Sequence, residues 1–133
     1  LGANAVPVNA GWKSINNEGD RRLSRTKMFT FKNFRSEMHW HLRELLDPAN
    51  GYNMALPPDD ELKEDLCAAE WKVELMDDPD YPNVYGAIAV EKKETIKRKL
   101  GRSPDKGDTC MMLFADLIDR TENSGGEWLR DLL

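Results

Sequence analysis

A chain of 133 residues, 40% of them hydrophobic, is the size of one ordinary domain and can enclose a modest core. No stretch approaches the roughly 18 consecutive apolar residues of a membrane helix, and no basic segment followed by an apolar run opens the chain, so a soluble, unsecreted protein is expected. The formal charge of −5 excludes a uniformly basic nucleic-acid binder, although the charges are segregated along the chain.

Ala5, Val6 and Val8 form a short apolar run ended by Asn9-Ala10-Gly11, the pattern of a buried strand followed by a loop. Because the chain opens at Leu1 on this strand rather than on a leader, a fragment of something longer is expected. Trp12 to Lys32 is polar and basic with no helical period, which predicts an extended loop. Phe34, Met38, Leu42, Leu45 and Leu46 then fall at helical spacing, so residues 33–46 are predicted to form an amphipathic helix ended by Asp47-Pro48. Asn50-Gly51 and Pro57-Pro58 bracket a linker, and Asp59, Asp60 and Glu61 place acids where a helix N-terminus favours them, opening a short helix to about Ala69.

Trp71, Val73 and Leu75 alternate with Lys72 and Glu74 at the period of a half-buried strand, and Gly86 to Glu91 offers its antiparallel partner across a loop holding Pro79 and Pro82. Glu94 to Leu100 reads as a brief helix stopped by Gly101. Ser103 as N-cap and Pro104 at the first position open a last helix through Cys110, Met111, Met112, Leu113, Phe114, Leu117 and Ile118, apolar on nearly every face and therefore expected to be buried. From Arg120 the chain turns polar, and Trp128, Leu129, Leu132 and Leu133 close it with a short amphipathic stub that docks on the domain itself or on a partner. Residues 1–133 are thus taken as one domain, with 120–133 a polar linker and tail. The two cysteines, Cys67 and Cys110, lie in apolar helical contexts far apart in sequence and are expected to be buried, reduced thiols.

Six Lys or Arg and no acid lie between Arg21 and Arg35, ten acids against Lys63 and Lys72 lie between Asp59 and Asp80, and a second basic cluster runs from Lys92 to Lys106. Such patches either touch phosphates by local counterion release or are solvated faces. Asp105 and Asp108, three apart in the first turn of the last helix, project from one face in a geometry that can hold a hard divalent cation. The same acids are also favoured there by the helix dipole alone. His39 and His41 flank Trp40, but residues two apart on a helix diverge too far to share a zinc ion with either cysteine. His41 is expected to border the core stripe, with His39 and Trp40 toward a flank.

Around this acid pair, Lys99-Leu100-Gly101-Arg102-Ser103-Pro104-Asp105-Lys106-Gly107-Asp108 resembles a signature near the end of the nuclease domain of phage DNA-packaging terminase large subunits. Asn33-Phe34-Arg35-Ser36-Glu37-Met38-His39-Trp40, Leu56-Pro57 with Asp60-Glu61-Leu62, and Ile88-Ala89-Val90-Glu91-Lys92-Lys93 are similar to three further motifs of that family, in the family's order. The resemblance implies an α/β, ribonuclease H-like nuclease fold, of which this is the C-terminal portion only, with a mixed sheet and flanking helices. It implies an endonuclease cutting concematemeric double-stranded phage DNA during packaging with Mg²⁺ or Mn²⁺, in the cytoplasm of a bacterial host. Portal protein and the small terminase subunit are the implied partners.

Asp105 is the expected direct metal ligand and Asp108 the second ligand or orienting group. Arg35, Lys97, Arg98, Arg102 and Lys106 are the expected phosphate contacts, with an exposed Arg35–Glu37 pair as the alternative. Gly107 and Thr109 stand where the family more often has alanine. The family's other acids belong to strands preceding the opening one, so the chain alone is expected to be weak or inactive. The competing expectation is a non-catalytic module that binds DNA or a capsid protein. No Gly-rich phosphate loop of an ATPase is present.

Overall fold

The computed structural model describes residues 10–16 and 18–124, with side chains as far as 115. The predicted first strand at residues 3–8 and the terminal stub lie outside the described residues. Where the sequence alternates, strands form: β2 (Trp71–Leu75) and β3 (Gly86–Val90) pair antiparallel, with Val73 opposite Ile88. A three-residue strand, β1 (Phe29–Phe31), lies parallel to β3 on its other side, giving the order β1-β3-β2. This strand corrects the expected loop from Trp12 to Lys32. Gly86 sits at the tightest point of the sheet, since a Cβ there would come within 2.5 Å of the Glu74 carbonyl oxygen and 2.6 Å of Val73 Cγ1.

Helix α1 (Phe34–Leu46) starts where Asn33 Oδ1 accepts the Ser36 N–H at 2.9 Å, satisfying one of the unpaired first-turn donors. The Ser36 hydroxyl donates to the same oxygen and accepts the Val90 N–H at 3.0 Å, so the cap also fixes the helix to the central strand. Asp47 ends α1 ahead of a single 3₁₀ turn at Pro48–Asn50. Helix α2 (Asp60–Ala68) is capped by Asp59, and α3 (Lys93–Leu100) stops at Gly101, whose φ of 71° is the left-handed conformation that glycine adopts at little steric cost. Helix α4 (Asp105–Ser124) begins one residue later than predicted, with the Pro104 carbonyl accepting the Asp108 N–H at 2.9 Å. It runs to Ser124, so the polar residues 120–124 are helix rather than linker.

The chain is a small α/β domain in which α1 serves two apolar clusters. Phe34, Met38 and Leu42 pack with Leu62 of α2 and with Cys110, Met111 and Ala115 of α4. On its other side, Trp40 packs with Phe31 and Ile88 over the sheet, so its expected place toward a flank is a packing place on a neighbouring segment and part of the core. Over its described side chains, 105–115, helix α4 buries one face: Leu113 is 71% exposed and Met112 43%, because α1 and α2 cover the opposite side. This corrects the expectation of a helix buried all round. Of the two free thiols Cys110 is buried as expected, whereas Cys67 is exposed. Among the described residues no helix is long and apolar enough to cross a membrane.

The segment before β1 is held by a buried ion pair rather than left loose. Glu37, 3% exposed on α1, accepts the Ser14 hydroxyl at 3.0 Å and pairs with Arg22 at 3.6 Å. Glu37 therefore binds its own chain from within, and the exposed Arg35–Glu37 pair does not form.

The charge segregation seen in the sequence resolves largely into internal pairing. From the first basic stretch, Arg21 meets Asp78 at 3.8 Å and Lys32 meets Glu74 at 3.0 Å. From the second, Lys99 meets Glu70 and Glu91, Arg102 meets Asp65, Glu64 and Glu61, and Lys106 meets Asp59 and Glu61.

Candidate functional site

The first turn of α4 divides its two carboxylates. Residues three apart on a helix lie within about 60° of each other, close enough for a boundary between buried and exposed surface to fall between them. Asp108 is 8% exposed and faces α1 and α3, while Asp105 is exposed beside the Leu56-Pro57 segment and makes no ion pair among the described residues. The inward residue of the pair is thus Asp108, and Asp105, the expected direct ligand, is the outward one.

Asp108 receives cations from two other elements. Lys93 Nζ, at the start of α3, is 2.8 Å from one carboxylate oxygen, and Arg35 Nη1, on the first turn of α1, is 3.6 Å from the other. Arg35 Nε and Nη2 are buried without a hydrogen-bond partner, as is Nε2 of His39 one turn further along α1. Burial pushes the His39 pKa down to about 4, the Arg35 charge pushes the same way, and Asp108 opposes them. The imidazole is therefore neutral near neutral pH. With two cations around one carboxylate, the cluster carries a positive excess and opens to solvent at Lys93, whose side chain is 40% exposed. Such a cluster attracts an anion such as a phosphate oxygen, and its carboxylate is already engaged.

Arg102, an expected phosphate contact, is instead a tie between helices. Its guanidinium bonds the fully enclosed Asp65 carboxylate of α2, whose other oxygen accepts the Gly107 N–H of α4 at 3.0 Å. This is why glycine stands at 107: a Cβ there would lie 2.8 Å from Asp65 Cβ, closer than real Cβ contacts come, so α2 or α4 would have to shift. An alanine at 107, as the resembling family more often has, does not fit this packing. Gly107→Ala is expected to destabilise by roughly 1–3 kcal/mol through overpacking, read as a lower urea midpoint with unchanged slope.

Lys106 is likewise occupied, at 2.8 Å from Asp59 and 3.3 Å from Glu61. Of the five expected DNA contacts, only Lys97 and Arg98 are exposed on α3 with no ion pair among the described residues. The sequence singles out Arg35 and Asp108 but reads Lys93 only as one of the second basic cluster and His39 only as a flank residue, and these two complete the cluster. The signal was available for Lys93, which ends the third motif and opens a helix beside Lys92.

Among the described residues no group of three or more His, Cys, Asp or Glu is placed to hold a metal ion. Comparison with protein-family models found no match, and comparisons with curated proteins and with solved structures found none.

Proposed function

We propose that this chain is part of the ribonuclease H-like nuclease domain of a phage terminase large subunit, acting on double-stranded DNA at a site that includes Asp108. The observation that supports this reading is convergence. Arg35, Lys93 and Asp108 belong to three separate motifs of the resemblance, and they meet on α1, α3 and α4 within ion-pair distance. A chance likeness between short motifs gives no reason for their charged residues to share one cluster.

The described residues do not by themselves fit the Mg²⁺ or Mn²⁺ that the reading requires. They supply one enclosed carboxylate already bonded to two cations and one exposed carboxylate at the rim, whereas a hard cation is held among about six oxygens by one or two carboxylates that are free to bind it. Further acids would have to join Asp108. What the present residues do is position: α1 and α3 hold Asp108 in place, while Lys93, Lys97 and Arg98 give a cationic approach for a phosphodiester backbone.

The engaged state of Asp108 favours a second reading, a non-catalytic module that contacts DNA or a capsid protein. Titration with Mn²⁺, carried out on a protein in which this chain is joined to the further acids the reading requires and followed by amide line broadening, separates the two. The nuclease reading expects broadening centred on Lys93, Asp105 and Asp108, reduced in Asp105→Asn and Asp108→Asn. A spectrum that does not respond at these residues overturns it and leaves the non-catalytic module.

A further inference from the structure

At the outer edge of the sheet, β2 brings an indole and lysines to one groove that the nuclease reading does not use, Trp71 from the face that α1 covers and Lys72, its neighbour in the strand, from the opposite face. Trp71, at the start of β2, is 47% exposed even though its ring packs edge-on against the buried Trp40 at 4.8 Å. Arg43 lies over both indoles, 4.3 Å from the Trp40 centroid and 5.6 Å from that of Trp71, and makes no ion pair among the described residues. Trp71 also lines two adjoining grooves, of about 490 and 700 Å³, which meet at Ala69, Trp71 and Val90.

The first groove is mainly apolar, walled by α1 and Pro48. The second is cationic. Lys32, Lys72 and Lys92 line it, Lys32 and the largely exposed Lys72 sharing Glu74 at 3.0 and 3.7 Å, and its two acids, Glu70 and Glu91, are both bonded to Lys99 at 2.7 to 2.9 Å. A half-exposed indole held rigid by a neighbouring ring, with lysines beside it, has the parts of a single-strand site: a flat surface for stacking a base and cations for its phosphates. An apolar peptide would find its counterpart in the first groove but would gain nothing from the lysines of the second.

We propose that Trp71 is a stacking platform for an unpaired base of a single nucleic-acid strand, with Lys72 and Lys92 on the adjoining phosphates. The site does not depend on strand cutting, so it stands or falls separately from the metal titration.

The test uses the full chain with fluorescent oligothymidylate and oligouridylate of about 12 nucleotides, within the span that single-strand sites cover. Binding should quench tryptophan emission and shift the Trp71 indole N–H resonance. Trp71→Ala should weaken binding about tenfold or more, and Trp71→Phe, which keeps a π-face, should retain most of it. Reversing both exposed lysines, Lys72→Glu with Lys92→Glu, should reduce the slope of log affinity against log salt by about 1.4, which a purely structural defect leaves unchanged. Because Trp71→Ala also removes packing on Trp40, the lysine pair and Trp71→Phe keep the test decisive if that variant does not fold. Preference between the two oligonucleotides tells DNA from RNA. Failure of both to bind, or binding with the same salt slope in the lysine variant, overturns the proposal.

Discussion

Lowering the pH from 7 to 5 should remove about 4 kcal/mol of folding stability, roughly 2 from each of two histidines. Both His39 and His41 have pKa values pushed down to about 4, His39 by burial and then by Arg35, His41 by burial alone. Each has a buried Nε2 with no hydrogen-bond partner, so no acceptor rewards protonation there, and the attraction of Asp108 offsets the burial of His39 only in part. In the unfolded chain both return to about 6.5. Between that value and about 4 the unfolded state therefore holds protons that the folded state does not, and stability falls as pH falls; below about 4 the folded imidazoles protonate too and the loss stops growing.

Glu44 acts in the opposite sense, since burial raises its carboxyl and protonation in the acid range relieves a penalty. Asp59, Glu74 and Glu91 are held below the usual carboxylate range, first by hydrogen bonds from Lys106, Lys32 and Lys99, and their share is lost only at lower pH. A loss of this size is a large fraction of the roughly 5–15 kcal/mol that stabilises a typical domain. Urea melts at the two pH values measure it directly, and replacing each histidine by glutamine should flatten the dependence. Equal midpoints at pH 7 and pH 5 would contradict the burial of both rings.

The elements legible in the sequence are those whose signals are local. The stripe of Phe34, Met38, Leu42 and Leu45 needs only the helical period to be seen, and Asp47-Pro48 and Gly101 end their helices by backbone chemistry that acts within a turn. The alternation in β2 and the apolar run of β3 are local as well. By contrast, β1 is three residues long, and its partner β3 lies beyond two helices and a strand, so nothing near Phe29 announces it. Trp40 shows a subtler limit: it lies off the main stripe of α1, and it is buried because the sheet covers that second side.

The site was partly readable for the same reason. Spacing placed Asp105 and Asp108 together but could not say which would face α1, because that depends on how α4 is seated against α2. The segregated charges had two readings, a phosphate surface or pairing within the chain, and the second holds for most of them. Once α2 and the loop after β2 meet the basic segments, Arg21, Lys32, Lys99, Arg102 and Lys106 all acquire carboxylates. Of these two basic stretches, what remains available to an outside anion after that pairing is Arg25, Lys27, Lys92, Lys97, Arg98 and the exposed part of Lys93.

Removing Arg102 should therefore destabilise the domain rather than change a contact with DNA. Asp65 is fully enclosed, and it has two partners given by the structure, the Arg102 guanidinium and the Gly107 N–H. Arg102→Ala leaves that carboxylate in a low-dielectric interior with a single amide donor, a change expected to cost about 3–5 kcal/mol. Arg102 itself is one-third exposed, which draws the expectation toward the lower figure because water reaches the guanidinium end of the pair. Asp65→Ala should cost about 3 kcal/mol, since the lost pair is joined by an orphaned Gly107 amide, while the stranded cation can turn toward Glu61, Glu64 and solvent.

The double variant should be less destabilised than the sum of the two, because each substitution removes the partner whose loss makes the other costly. Lys106→Ala, which breaks only exposed pairs with Asp59 and Glu61, should cost no more than about 1 kcal/mol, and Lys97→Ala and Arg98→Ala almost nothing. Chemical denaturation of these variants separates a helix tie from a phosphate contact. A folded Arg102→Ala protein of unchanged stability but weakened DNA binding would return Arg102 to the role its place beside the acid pair first suggested.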